Sequence, residues 1–298
     1  MHAFVTGASG WIGTAVVDVL LTAGHEVTGL ARSDASAQAL NERGAVALRG
    51  DLDDLDSLRE GAAAAEATIH LANKHDWADM AASNAAERAA VQTIGDTLVG
   101  TDRPFLVAAG VAGLTSGRAA TEHDPSPFRG PEAPRGGGEN LALEFASQGV
   151  RAVALRFSPT VHGAGDHGFV STLCAIARDS GVSGYPGDGS NHWAAVHRSD
   201  AARMTVLALD RAPAGARLHA VAEEGIPSRV IAEAIGRSLG LPVASIPEDR
   251  VQEHFGWIAR FFATDMAASS IWTQELLGWT PTGPGLIDDI DAGGYRSN

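Results

Sequence analysis

His2-Ala3-Phe4-Val5-Thr6-Gly7-Ala8-Ser9-Gly10-Trp11-Ile12-Gly13 opens the chain and decides its fold. The apolar run 2–5 reads as a strand and 11–23 as a helix, with a glycine turn between them. Gly7 permits the tight turn, Gly10 lets backbone approach a ligand, and Gly13 lets the helix pack closely on the strand. The helix N-terminus brings free N–H groups and a partial positive charge. The turn, with Ser9, Trp11 and Ile12, is therefore a cradle for the pyrophosphate of a dinucleotide. An ordinary glycine-rich turn is the competing reading, which the strand–turn–helix context disfavours.

The same rhythm continues outward. Strands are expected at 26–31, 46–49, 68–72, 105–109 and 151–157, and helices at 34–43, 55–64, 76–99 and 139–148. Gly24 sits where a helix-ending glycine belongs, and Asp34 and Asp54 where N-caps belong. This βαβ order predicts an α/β fold: a Rossmann-like, doubly wound parallel sheet with a smaller mixed C-terminal substrate lobe. The dinucleotide domain is expected over 1–160, its sheet completed by parts of 194–222. Residues 161–298 mostly form the substrate lobe, with helices near 169–178, 200–209 and 228–239.

The end of the second strand separates NAD from NADP. An acidic residue there binds the ribose diol, whereas an arginine binds the 2′-phosphate. The sequence has Leu30-Ala31-Arg32-Ser33. Arg32 offers two parallel charge-assisted bonds, and Ser33 adds a hydroxyl. The expected cofactor is NADPH/NADP+, with a solvated surface arginine as the alternative. Asp51, with Leu52, follows the third strand and can accept from the adenine amino group or cap a helix.

Bulk properties narrow the partners. The 298 residues are 45% hydrophobic and carry a net charge of −14, which disfavours nucleic acid and anionic membranes. Cys174 is the only cysteine, so no intrachain disulfide can form. No apolar run approaches the ~20 residues of a membrane span. A soluble cytoplasmic protein with a small-molecule substrate is expected, and the Ala-rich helix 76–99 is a candidate homodimer face. None of the 11 histidines shows ligand spacing, so no metal is expected.

With these motifs in view, the chain resembles the extended or atypical branch of the short-chain dehydrogenase/reductase superfamily over nearly its whole length. The resemblance rests on an ordered set. It comprises Thr6-Gly7-x-x-Gly10-x-x-Gly13, Gly50-Asp51-Leu52, His70-Leu71-Ala72, Arg156-x-x-Pro159-x-x-His162-Gly163, Gly187-Asp188-Gly189, Val196-His197-x-x-Asp200 and Leu276-Leu277-Gly278-Trp279-x-Pro281. It implies cofactor contacts from Leu71, Ala72, Asn73, Ala108, Pro159, Thr160 and Val161.

The family catalyst is a Tyr-x-x-x-Lys pair with a Ser or Thr at the end of strand five. Here the only tyrosines are Tyr185 and Tyr295 and the only lysine is Lys74. Counting back from Glu139 puts the family's Tyr and Lys positions near Pro131 and Arg135, and its serine near Ala109. The resemblance thus carries over the cofactor site, with Arg135 holding the ribose, but not the acid–base machinery.

Two residues are candidate replacement proton donors. Tyr185 lies in a loop of the substrate half; its alternative is a packing role. His162 follows strand six; its alternative is a loop residue bonded to backbone. Lys74, His75, Ala109, His167, His192 and Trp193 are candidate substrate-pocket residues. The expected function is NADPH-dependent reduction of a carbonyl or imine on a small or medium apolar substrate. A non-catalytic NADP(H) sensor and a nucleotide-sugar epimerase-like enzyme remain the alternatives.

Overall fold

The computed structural model describes residues 1–74, 76 and 79–295. In chain order its strands and helices are β1 (His2–Thr6), α1 (Trp11–Thr22), β2 (Glu26–Ala31), α2 (Asp34–Arg43), β3 (Val46–Arg49), α3 (Leu55–Ala64), β4 (Ala67–His70), α4 (Met80–Leu98), β5 (Pro104–Gly110), α5 (Gly138–Glu144), β6 (Arg151–Phe157), β7 (Thr160–His162), α6 (Phe169–Ser180), β8 (Ser183–Pro186), β9 (His192–His197), α7 (Arg198–Arg211), β10 (Arg217–Ala220), β11 (Glu223–Pro227), α8 (Ser228–Leu239), β12 (Val243–Ile246), α9 (Val251–Phe255), α10 (Ala259–Phe262), α11 (Ile271–Leu277) and α12 (Leu286–Asp291).

Seven parallel strands form the central sheet in the order β10-β6-β5-β4-β1-β2-β3. The order reverses between β1 and β4, and such a reversal opens a crevice at the carboxyl ends of the strands. Strand alternation divides the core into two layers. Ala3 and Val5 face one layer with Val16, Leu20, Leu155 and Trp279. Phe4 faces the other with Leu58, Ile94, Phe105 and Phe145. Each fully buried large apolar side chain contributes about 1.5–3 kcal/mol.

The C-terminal half adds a three-stranded sheet, β11-β9-β7, and a two-stranded one, β12-β8. Its core gathers Trp193, Ile231, Phe255 and Phe262. The chain returns to the central sheet through β10, which pairs with β6. Among the described residues no helix is long and apolar enough to cross a membrane.

Boundaries differ from the sequence reading where side chains intervene. Ser33 caps α2, its Oγ accepting from Ser36 N and the Ser36 hydroxyl accepting from Ser33 N. Asp34 is thus the first helical residue and not the cap. Strand β4 ends at His70, which frees Leu71 and Ala72 as loop. Helix α4 starts at Met80 because the Asp79 carboxylate accepts from Ala82 N at 2.9 Å. The helix expected over 139–148 is split into α5 and flanking 3₁₀ turns.

Candidate cofactor and substrate cleft

A cleft of about 1440 Å³ runs along the carboxyl ends of the sheet. That exceeds the ~300–1,000 Å³ typical of drug-sized ligands, leaving room for a dinucleotide and a second molecule.

The floor is the glycine turn. Gly7 has φ of 67°, and Gly10 N donates to its carbonyl at 2.9 Å. A Cβ on Gly13 would lie 2.0 Å from Gly7 O, and one on Gly7 would lie 2.7 Å from Ala72 N. Side chains at these positions would collide with backbone and distort the turn. Gly10 is the N-cap of α1 and no side chain caps that end, so the first N–H groups are available to an anion. These features fit the pyrophosphate of a dinucleotide.

Arg32 stands at one end with Leu30, Asp51, Leu52 and Asp53. Among the described residues its guanidinium pairs with no carboxylate, whereas neighbouring Arg49 turns to Asp34 at 3.4 Å. Asp51 also serves its own loop, Oδ1 accepting from Asp53 N at 2.8 Å and Asp54 N at 3.1 Å. Lys74 lines this end and bonds Asp53 at 2.7 and 2.8 Å.

The middle of the cleft rests on a buried polar network. Parallel pairing of β1 with β4 sets Thr6 beside His70, and Thr6 Oγ1 lies 2.8 Å from His70 Nδ1. His70 Nε2 is 3.7 Å from Glu87 Oε1. Glu87 also accepts from Asn73 Nδ2 at 3.2 Å and from Arg135 Nη2 and Nε at 2.6 and 3.2 Å. Burial works to raise the Glu87 pKa, but the Arg135 charge and His70 outweigh it, leaving the carboxyl at about 2. The site thus keeps a paired carboxylate under a cation on the cleft wall.

The other end is apolar. Phe128, Phe169, Trp257, Phe261 and Met266 line most of it with Ala109, joined by Thr264 and by Arg260, whose guanidinium lies 4.8 Å over the Phe261 ring. Phe169 and Phe261 meet with ring centroids 5.1 Å apart. Asp166 is buried on this side. Burial raises its pKa, opposed by bonds from Gly168 N and the Tyr295 hydroxyl. His167 is exposed on the wall, its ring edge-on to Trp11 at 5.6 Å.

Ser9, Gly10, Trp11, Ile12, Leu71, Ala72, Asn73, Ala108, Pro159, Thr160 and Val161 all lie on the cleft wall. Several expected site residues do not. Tyr185 is on β8, paired with β12, and its ring lies under Arg229 at 5.7 Å. It is outside the cleft and cannot donate to a substrate there. His162 is fully buried, with Nδ1 2.6 Å from Asp289 Oδ2, and it too is off the cleft. Trp193 is a core residue whose indole N–H donates to Phe261 O. His192 turns outward to Asp265 at 3.3 Å. Ser33 is occupied as the α2 cap and does not line the cleft. His75 lies outside the described residues.

Glu87 was not among the expected site residues, yet its sequence signal is clear. It falls on the buried stripe Ser83, Ala86, Ala90, Val91 and Ile94 of α4, and a charge on an apolar helical face demands a partner. The aromatic end wall gave no comparable signal, because Phe128, Phe169, Trp257 and Phe261 come from distant segments.

Comparison with known proteins agrees with this geometry. The family model described as "NAD dependent epimerase/dehydratase family" matches residues 3–100. The C2A9.02 protein of Schizosaccharomyces pombe is 46% identical over 296 residues, covering 99% of this chain and 100% of its own. The 4-hydroxy-2-methyl-3-oxo-4-farnesyl-3,4-dihydroquinoline-1-oxide ketoreductase of Stigmatella aurantiaca is 28% identical, covering 72% of this chain and 66% of its own. The structure of MoeE5 with UDP-glucose and NAD superposes with a TM-score of 0.75 at 24% identity, covering 99% and 98% of the two chains.

Proposed function

Because the chain belongs to the NAD-dependent epimerase/dehydratase family of the extended short-chain dehydrogenase/reductase superfamily, we propose that it is an NADPH-dependent reductase of an activated carbonyl or an iminium carbon on a small or medium apolar substrate. One observation carries this reading. The cleft that begins at Arg32, which pairs with no carboxylate among the described residues, ends in a wall of Phe128, Phe169, Trp257, Phe261 and Met266. A guanidinium suits the 2′-phosphate of NADPH, and the aromatic wall suits the apolar part of a substrate.

A nicotinamide cofactor, when bound, would supply the hydride. The glycine turn holds the pyrophosphate, Arg32 the 2′-phosphate, and the aromatic wall orients the substrate. Arg135, held by two bonds to Glu87, offers N–H donors to the ribose end and stabilises negative charge developing nearby. Among the described residues no tyrosine lines the cleft. A positioned acid is worth roughly 10²–10⁴-fold, whereas orientation alone contributes about 7–11 kcal/mol. The substrates that tolerate this loss are aldehydes, α-keto esters and iminium ions, which need less polarisation than a plain ketone.

The absence of tyrosine at the cleft also favours a second reading, a non-catalytic NADP(H) sensor. It disfavours epimerisation, which leans on that tyrosine as base. A panel of aldehydes, α-keto esters, ketones and cyclic imines tests the proposal by substrate-dependent NADPH oxidation. Tight NADPH binding with no turnover across the panel supports the sensor instead.

A further inference from the structure

The segment that carries Arg135 is built unlike an ordinary helix start. Arg135, Gly136 and Gly137 have φ of 55°, 58° and 66°, three consecutive left-handed residues. An arginine adopts that conformation only at a cost. Three residues on one face of α4 hold the turn in place. Asn84 Oδ1 accepts from Arg135 N at 2.9 Å, and Arg88 donates to Gly136 O at 3.0 Å. Between them, Glu87 takes the Arg135 side chain through two bonds to Oε1. Gly136 sits so close to α4 that a Cβ would lie 2.3 Å from Asn84 O.

Glu87 reaches further. Its second oxygen accepts from Asn73, which lines the cleft. His70 packs beside it, Nε2 3.7 Å from Oε1, and its Nδ1 lies 2.8 Å from the Oγ1 of Thr6, the residue before Gly7. One buried carboxylate therefore bonds both the Arg135 turn and the loop after β4, with His70 packed between it and Thr6. A buried pair made only for stability is weak evidence of its own value. Here the arginine side chain retains 32% exposure on the cleft, and the strained turn aims it there.

We propose that Glu87 is a positioning residue for the nicotinamide cofactor, fixing the Arg135 guanidinium on the cleft wall as the cation that meets the ribose half of the dinucleotide. The proposal rests on the cofactor reading above. It gives the chain a Glu–Arg device where no lysine follows a tyrosine at motif spacing.

The test is NADPH affinity by titration calorimetry, beside the melting temperature of the cofactor-free chain, for Glu87→Gln, Arg135→Gln and the double variant. Glu87→Gln keeps its shape and leaves Arg135 free to face water, so it folds. Its NADPH affinity is expected to fall roughly tenfold, the scale of a lost charged hydrogen bond. Arg135→Gln weakens binding at least as much and also melts earlier, because the Glu87 carboxylate is left buried without its cation. In the double variant the melting temperature recovers while the affinity stays as low as in Arg135→Gln, as coupled residues require. Affinity within twofold of the original chain in Glu87→Gln overturns the proposal, as does a double variant that regains stability and affinity together. Failure of the unaltered chain to bind NADPH overturns the cofactor reading itself, and this proposal with it.

Discussion

The indole N–H of Trp11 donates a 2.7 Å hydrogen bond to the carbonyl of Val161, 150 positions later. The bond ties the glycine turn to β7, and Arg198 covers the ring at 4.2 Å while bonding Thr14. The two halves of the cleft are thus clamped at the point where the pyrophosphate would lie. Trp11→Phe keeps the aromatic face and removes the donor. One neutral hydrogen bond is worth about 0.5–1.5 kcal/mol, so NADPH affinity is expected to fall roughly two- to tenfold with little change in fold. Titration calorimetry reads it, and an unchanged affinity would show that the clamp is irrelevant to the cofactor.

The proposed NADPH preference rests on Arg32. Arg32→Ala is expected to weaken NADPH roughly tenfold to a hundredfold, the range of hydrogen bonds to charged groups, while leaving NADH nearly untouched. Paired Kd measurements for the two cofactors check it. An equal loss for both assigns Arg32 to general electrostatics and not to the 2′-phosphate.

Tyr185 and His162 show where reading from sequence stopped. The strands and the glycine turn were legible because their signals are local: alternation, glycine spacing and caps within a few residues. Both donor candidates also sit next to recognisable motifs, yet contacts between distant segments decide where they point. His162 is turned into the interior by Asp289 on α12, and Tyr185 is carried outward by the β8–β12 pair. Arg135 was legible by counting from Glu139, whereas its left-handed backbone and its grip by α4 were not. Tyr185→Phe is therefore expected to leave NADPH affinity and any turnover within twofold, checked by titration and steady-state assay. A tenfold loss in either contradicts the placement of this residue outside the cleft.

His219 makes stability pH-dependent. It is buried with Nδ1 2.7 Å from Ser269 O and Nε2 3.3 Å from Arg156. Burial, with the Arg156 charge, holds its pKa down at about 4 against carboxylates that raise it. The unfolded chain, with histidine near 6.5, binds the proton first as pH falls. Stability from the neutral imidazole is complete above about pH 6.5 and is lost as pH drops toward 4. His219→Gln is expected to flatten this part of the curve. Melting temperatures at several pH values between 7 and 4 measure it, and parallel curves for the two proteins refute the assignment.

The central claim is hydride transfer without a tyrosine acid, and isotope transfer tests it most directly. NADPH deuterated at the nicotinamide C4, its 4R and 4S forms in parallel, is incubated with the chain and aldehydes, α-keto esters or cyclic imines, and the products are read by mass spectrometry. One deuterium is expected on the former carbonyl or imine carbon of at least one substrate. Tight NADPH binding with no label in any product contradicts it and leaves the chain a sensor of the cofactor.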